Sequence, residues 1–213
     1  MEKEQILSAY SDFLLEHQEQ PKSMHHFAKH LELSEQDIYS HFASFEAMER
    51  SILAHFVENA RDLTMEQAKN DDAFQEQRTQ MVTFYLTFVE VLKANRSLVQ
   101  LLLPKGKDQL RAWKNLKSAK RVFLAYVQML DIKIEALSFI PSDKVKEKTL
   151  EVAAWSQFHT ILAFWMNDDS ADFERTDIFI EKSLKLSFEI SDSTILQSFV
   201  DLGKFVTQHE EVR

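Results

Sequence analysis

The stretch Phe27–Met48, FAKHLELSEQDIYSHFASFEAM, reads as a short helix, a turn, a second short helix and the start of a longer one. Phe27, Ala28, Leu31, Leu33, Ile38 and Phe42 are spaced so that the helices share one apolar side, the pattern of a compact helix-turn-helix. Serines punctuate it. Ser23 stands where a cap is needed for the helix carrying Met24, Phe27, Ala28 and Leu31, and Ser34 caps a helix expected from Glu35 to about Phe42. Glu35 and Asp37 fall in the first turn of that second helix, where its dipole favours acids. Ser44 caps the next helix through its hydroxyl alone, since Ala47 occupies the position where a capping box needs glutamate or glutamine.

Working outward, Ile6, Leu7, Tyr10, Phe13 and Leu14 place a helix over residues 3–17 that stops before Pro21. The helix capped by Ser44 runs to about Ala68, long enough to leave a small N-terminal bundle. Asn70-Asp71-Asp72 reads as a break, after which an aromatic helix carries Met81, Phe84, Tyr85, Phe88, Val91 and Leu92. A short helix over Leu98–Leu103 ends at Pro104, and a longer one is expected from Lys107 to about Glu135. Three more follow, over about 143–167, 171–190 and 194–209. Only two glycines and three prolines in 213 residues leave little material for the tight turns of sheets, so the fold class is all-α. The division expected is a helix-turn-helix domain over 1–48 and a larger helical domain over 49–213.

Apolar residues at 45% and aromatics at 11% suffice for a substantial core. The absence of cysteine excludes disulfides and thiolate zinc sites, and MEKEQILSAY lacks the basic and apolar regions of a signal peptide. No apolar run reaches membrane-spanning length, and the chain is read as cytoplasmic. A net charge of −9 argues at first sight against nucleic acid, but it is unevenly placed. Residues 1–50 hold four Lys or Arg against ten Asp or Glu, while residues 105–121 hold seven basic residues against the single Asp108.

The segment 27–48 resembles the DNA-binding segment of tetracycline-repressor-like (TetR) regulators. Phe27, Ala28, Lys29, Leu33, Ser34, Ile38, Tyr39, Phe42, Ser44, Glu46, Ala47 and Met48 match in register, with His41 at a usually aromatic position. The resemblance implies a homodimeric, ligand-responsive transcriptional regulator that binds double-stranded DNA, in which a small apolar or aromatic effector shifts the spacing of two DNA-binding heads. It implies that Ser34, Gln36, Tyr39, Ser40 and His41 face DNA. Tyr39 would meet phosphate and Gln36 or Ser40 base edges, while Ser23, His25 and the Ser44 helix start hold phosphates. WMNDDSADFERTDIFIEKSL, residues 165–184, resembles the junction of the family's two dimerising helices. Four positions depart from the pattern: Glu35 and Asp37 replace basic or small residues, Glu32 the turn glycine, and Phe45 a phosphate-contacting lysine. They keep open an alternative, a TetR-shaped dimer that has lost DNA binding and carries a lipophilic ligand or regulates a protein partner.

A pocket between the later helices is expected among Phe84, Tyr85, Phe88, Trp113, Phe123, Tyr126, Trp155 and Phe158, with Tyr85, Gln128 and His159 as polar groups. Ile161, Leu162, Phe179, Leu184 and Phe188 are too apolar to leave exposed and are expected at the dimer interface. His26 and His30 have the i, i+4 spacing of a shared metal, but no third ligand is identifiable and no metal or other cofactor is expected. No phosphate loop, nucleophile elbow or paired-histidine protease motif is present, so no enzymatic activity is expected. The basic residues Lys107, Arg111, Lys114, Lys117 and Arg121 form either a solvated face, a dock for the acidic N-terminal segment, or a site for an anionic lipid or partner.

Overall fold

A computed structural model describes residues 1–104, 113–132 and 142–191. These residues are helical with no strand. In chain order the helices are α1 (Lys3–His17), α2 (Met24–His30), α3 (Glu35–Tyr39), α4 (Phe45–Asn70), α5 (Gln77–Ala94), α6 (Arg96–Leu102), α7 (Lys117–Met129), α8 (Asp143–Asn167) and α9 (Glu174–Ser191). Short 3-10 turns at Asp72–Phe74 and Ala171–Phe173 lead into α5 and α9. The expected helix over 194–209 and residues 107–112 and 133–135 of the one expected over 107–135 lie outside the described residues, but the latter helix already ends within them at Met129, before Asp131 turns to φ 48°. Within them, Asn115 and Leu116 form a turn before α7.

The residues group into two compact units. The first holds Met1–Thr64 and Thr87–Ala125, and the second holds Met65–Leu86 and the described part of 126–213. In the first, α1 packs on α6 and α2 on α3. Tyr10 is its centre: its ring stacks on Phe45 at 5.4 Å and meets Phe27 edge-on at 5.5 Å. Ile6, Phe27, Ile38 and Met48 are fully covered around it.

The α2–α3 turn is closed by the Leu33 amide donating to the Ala28 carbonyl at 2.9 Å, which carries Glu32 into the left-handed region at φ 56°. Helix α3 stops at Tyr39, short of the expected Phe42. The Ser40 hydroxyl donates to the Asp37 carbonyl at 2.7 Å, a local bond that competes with helical continuation.

In the second unit α8 packs against α9. Phe164 and Phe179 stack at 4.3 Å, and Ile161, Leu162, Trp165, Ile180 and Leu184 fill the interior. The corner between the helices is organised by Asp168. Its Oδ1 accepts from the Ser170 amide and hydroxyl at 2.9 and 2.7 Å, and its Oδ2 accepts from the Thr176 amide and hydroxyl at 2.9 and 2.6 Å. Burial opposes ionisation of Asp168, but these four bonds outweigh it and hold the carboxyl at about 2. A folded-state value below the usual 3.8 makes this stabilisation complete above the unfolded value and lost as the pH falls through about 2. Asp168→Ala is therefore expected to remove about 2 kcal/mol at pH 7, with the deficit shrinking on acidification, in urea unfolding followed across pH.

Candidate nucleic-acid interface and ligand pocket

Helix α3 buries Ile38 and leaves Gln36 and Tyr39 exposed, with Ser40 and His41 exposed just beyond it. Ser23, His25 and Ser34 are exposed as well, and Ser44 is half-buried. All eight residues expected at DNA thus lie in the helix-turn-helix segment and reach solvent at least in part. Ser23 accepts from the His26 amide at 3.1 Å and Ser44 from the Ala47 amide at 3.2 Å, so both act as helix caps.

The acids are engaged with two of the same residues. Ser34 and Asp37 form a complete capping box: the Ser34 amide and hydroxyl donate to Asp37 Oδ2 at 3.0 and 2.6 Å, and the Asp37 amide donates back to Ser34 Oγ at 3.2 Å. These bonds hold the Asp37 carboxyl below the usual carboxylate range. His25 Nδ1 donates to Glu35 Oε1 at 3.1 Å. Phe45, at a position expected to miss a phosphate lysine, instead stacks on Tyr10 and meets Phe27 edge-on at 6.0 Å.

A buried carboxylate lies beneath. Glu49 on α4 is only 8% exposed and accepts from the Tyr10 hydroxyl at 3.2 Å, from the Gln20 side-chain amide, and from Asn115 Nδ2 at 2.7 Å. Burial and the adjacent Glu49 carboxylate push the Tyr10 hydroxyl above the ordinary phenol range. Glu49 joins α1, the α1–α2 connection, α4 and the turn before α7, all within the first unit. Glu49→Ala strands several donors at once and is expected to cost about 3 kcal/mol in chemical denaturation, with Glu49→Gln costing less. Sequence periodicity gives no sign of this junction, because its members are 29 to 66 positions from Glu49.

The ten residues expected at a ligand are divided between the two units. Phe88, Trp113 and Phe123 belong to the first unit, and Phe84, Tyr85, Tyr126, Gln128, Trp155, Phe158 and His159 to the second. Phe84, Phe88, Phe123, Tyr126 and Phe158 are core side chains. Phe84 stacks on Tyr126 at 5.1 Å, and Trp155 stacks on Phe158 at 4.9 Å and meets His159 edge-on at 4.5 Å. Gln128 is exposed and donates to Glu147 and Glu151, at 3.1 Å each.

The second unit does contain a cavity, of about 90 Å³, and Tyr85 is the one member of the ten that lines it. Its other walls include Met81 of α5, Val127 of α7, Leu150, Ala154 and Gln157 of α8, and Leu184, Ser187 and Phe188 of α9. Leu184 and Phe188 were expected at a dimer interface. Ile161, Leu162 and Leu184 are covered by the chain's own side chains, and Phe179 and Phe188 are half-buried. The exposed large apolar side chains on these helices are Val145 and Val152 of α8 and Ile178, Leu186 and Ile190 of α9. Of the basic face, Lys114, Lys117 and Arg121 are exposed, while Lys107 and Arg111 lie outside the described residues.

Residues 80–206 match a family model described as the tetracyclin repressor-like C-terminal domain. The match covers more than half of the 213 residues, and the chain belongs to the tetracycline-repressor-like (TetR) family. No curated protein matches the sequence significantly. Among the described residues no helix is long and apolar enough to cross a membrane, and no three His, Asp or Glu side chains are grouped to hold a metal.

Proposed function

We propose that this chain is a homodimeric, ligand-responsive transcriptional regulator of the cytoplasm. In this reading residues 1–48 form its DNA-binding head, and residues 49–213 receive a small effector and supply the dimer contacts. The observation that carries the proposal is the row of exposed side chains on and after α3, Gln36, Tyr39, Ser40 and His41, on a helix whose opposite side is anchored by buried Ile38. A helix so held can present amide, hydroxyl and imidazole groups to a major groove, where Tyr39 would meet phosphate and Gln36 or Ser40 a base edge.

The match of the later helices to the family's C-terminal domain supports the effector and dimer assignments. An effector that favours one spacing of the two heads changes DNA affinity by its preference between those spacings. The test is selection from genomic fragments with purified protein, followed by Kd against salt on the selected duplex. A log–log plot falling with salt is the expected result.

A second reading has its own observation. His25 and Ser34, two of the side chains expected at DNA, are engaged by Glu35 and Asp37. That arrangement favours a TetR-shaped dimer that no longer uses its head on DNA and binds a lipophilic ligand or a protein partner. Absence of duplex binding even at low salt would establish this reading over the first.

A further inference from the structure

We infer that the cavity of the second unit takes a small uncharged molecule with a compact apolar body and one hydroxyl or N–H donor, received by Gln157. This rests on the ligand-responsive reading above. Among the described residues the walls are aliphatic or aromatic apart from Tyr85, Gln157 and Ser187, and none of them supplies a carboxylate, ammonium, guanidinium or imidazole group. Tyr85 is fully buried, which pushes its hydroxyl well above the ordinary value and keeps it neutral. A charged ligand would lose its hydration with no opposite charge to meet it.

The polar pair sets the direction of the hydrogen bond. Gln157 Nε2 donates to Ser183 Oγ at 2.8 Å, which leaves Oε1 as the amide's acceptor. The Ser187 hydroxyl stands 3.2 Å from that Oε1 but 2.9 Å from the Ser183 carbonyl, and it has one proton for both. An amide oxygen accepts at two lone pairs, so Gln157 Oε1 retains capacity to accept from a ligand even while the Ser187 hydroxyl donates to it.

Size restricts the body. At about 90 Å³ the space is smaller than the roughly 150 Å³ apolar cavity that holds benzene in another protein, which suits a ring of about five carbons.

Cyclopentanol, cyclopentane and cyclopentanecarboxylate separate these terms. Titrated into the full-length protein with thermal shift and calorimetry as readouts, cyclopentanol should bind about tenfold more tightly than cyclopentane, the effect of one hydrogen bond, and the carboxylate should not bind. Gln157→Leu should erase the preference for the alcohol while cyclopentane still binds. Ala154→Phe, with its helicity checked by circular dichroism, should fill the cavity and abolish both. Carboxylate binding equal to the alcohol's, an alcohol preference that survives Gln157→Leu, or no binding of either neutral probe overturns the assignment. The functional reading fails separately: cyclopentanol that binds as expected yet leaves the duplex Kd unchanged refutes effector control by this cavity while the pocket chemistry stands.

Discussion

Ile178→Glu combined with Leu186→Glu is expected to turn a dimeric protein into a folded monomer at micromolar concentration, read by light scattering, with wild-type helicity retained. These two side chains are 50% and 57% exposed on α9, whereas Ile161, Leu162 and Leu184 are already enclosed by their own chain. Burying the exposed half of each aliphatic side chain against a partner would contribute about 1 kcal/mol, and the glutamates would replace that gain with uncompensated desolvation on both protomers. The choice of positions matters. Phe179→Glu strikes the Phe164 stack inside the chain and is expected to unfold the protein, which would hide any effect on association. A wild type that scatters as a monomer, or a double variant that remains dimeric, rules out this face as the interface.

The second large effect is on DNA. Glu35→Lys removes the carboxylate that engages His25 and places a cation beside it, a change of two charges per head and four per dimer. Each phosphate neutralised adds about 0.9 to the magnitude of the salt slope, so one new lysine–phosphate contact per head should steepen the slope by about 2 and tighten low-salt binding by about ten- to hundredfold. Asp37 and Phe45 are poor places to make the same change. Asp37 closes the capping box of α3, and Phe45 packs on Tyr10 and Phe27, so charge added there comes with loss of structure. A Glu35→Lys protein whose Kd and salt slope equal those of the wild type would show that this acid does not limit DNA binding.

Helix positions were legible wherever a side chain speaks to its own neighbourhood. Ser23 and Ser44 cap as their spacing requires, and α8 spans the expected 143–167. The α3 box escaped notice because it uses aspartate at the position where glutamate or glutamine is usual, and a bond from Ser40 then ended the helix early. The pocket was the least legible. Aromatic periodicity reports that Phe84, Phe123 and Phe158 are covered, but not whether protein or ligand covers them, and here they are core. Gln157 and Ser187, which give the cavity its polarity, lie 30 residues apart on different helices, and neither has a local pattern to mark it. The same limit applies to the proposed dimer face: hydrophobicity alone does not separate Leu184, turned inward, from Leu186, turned outward.

The left-handed backbone at Glu32 makes position 32 a place where two selections agree. A side chain with a Cβ held at φ 56° costs about 1 kcal/mol relative to glycine, and this one also brings a negative charge to the turn between α2 and α3. In a library randomised at this codon, survivors of heat challenge and survivors of an operator-binding screen should both be enriched in glycine, with asparagine next. Position 37 should behave in the opposite way, because an aspartate that would repel phosphate also caps its helix, so heat challenge would retain it while the operator screen would discard it. A path by which this head acquires tighter operator binding therefore starts at Glu32, where the first step carries no loss of folding, and reaches Asp37 only after stability has been gained elsewhere.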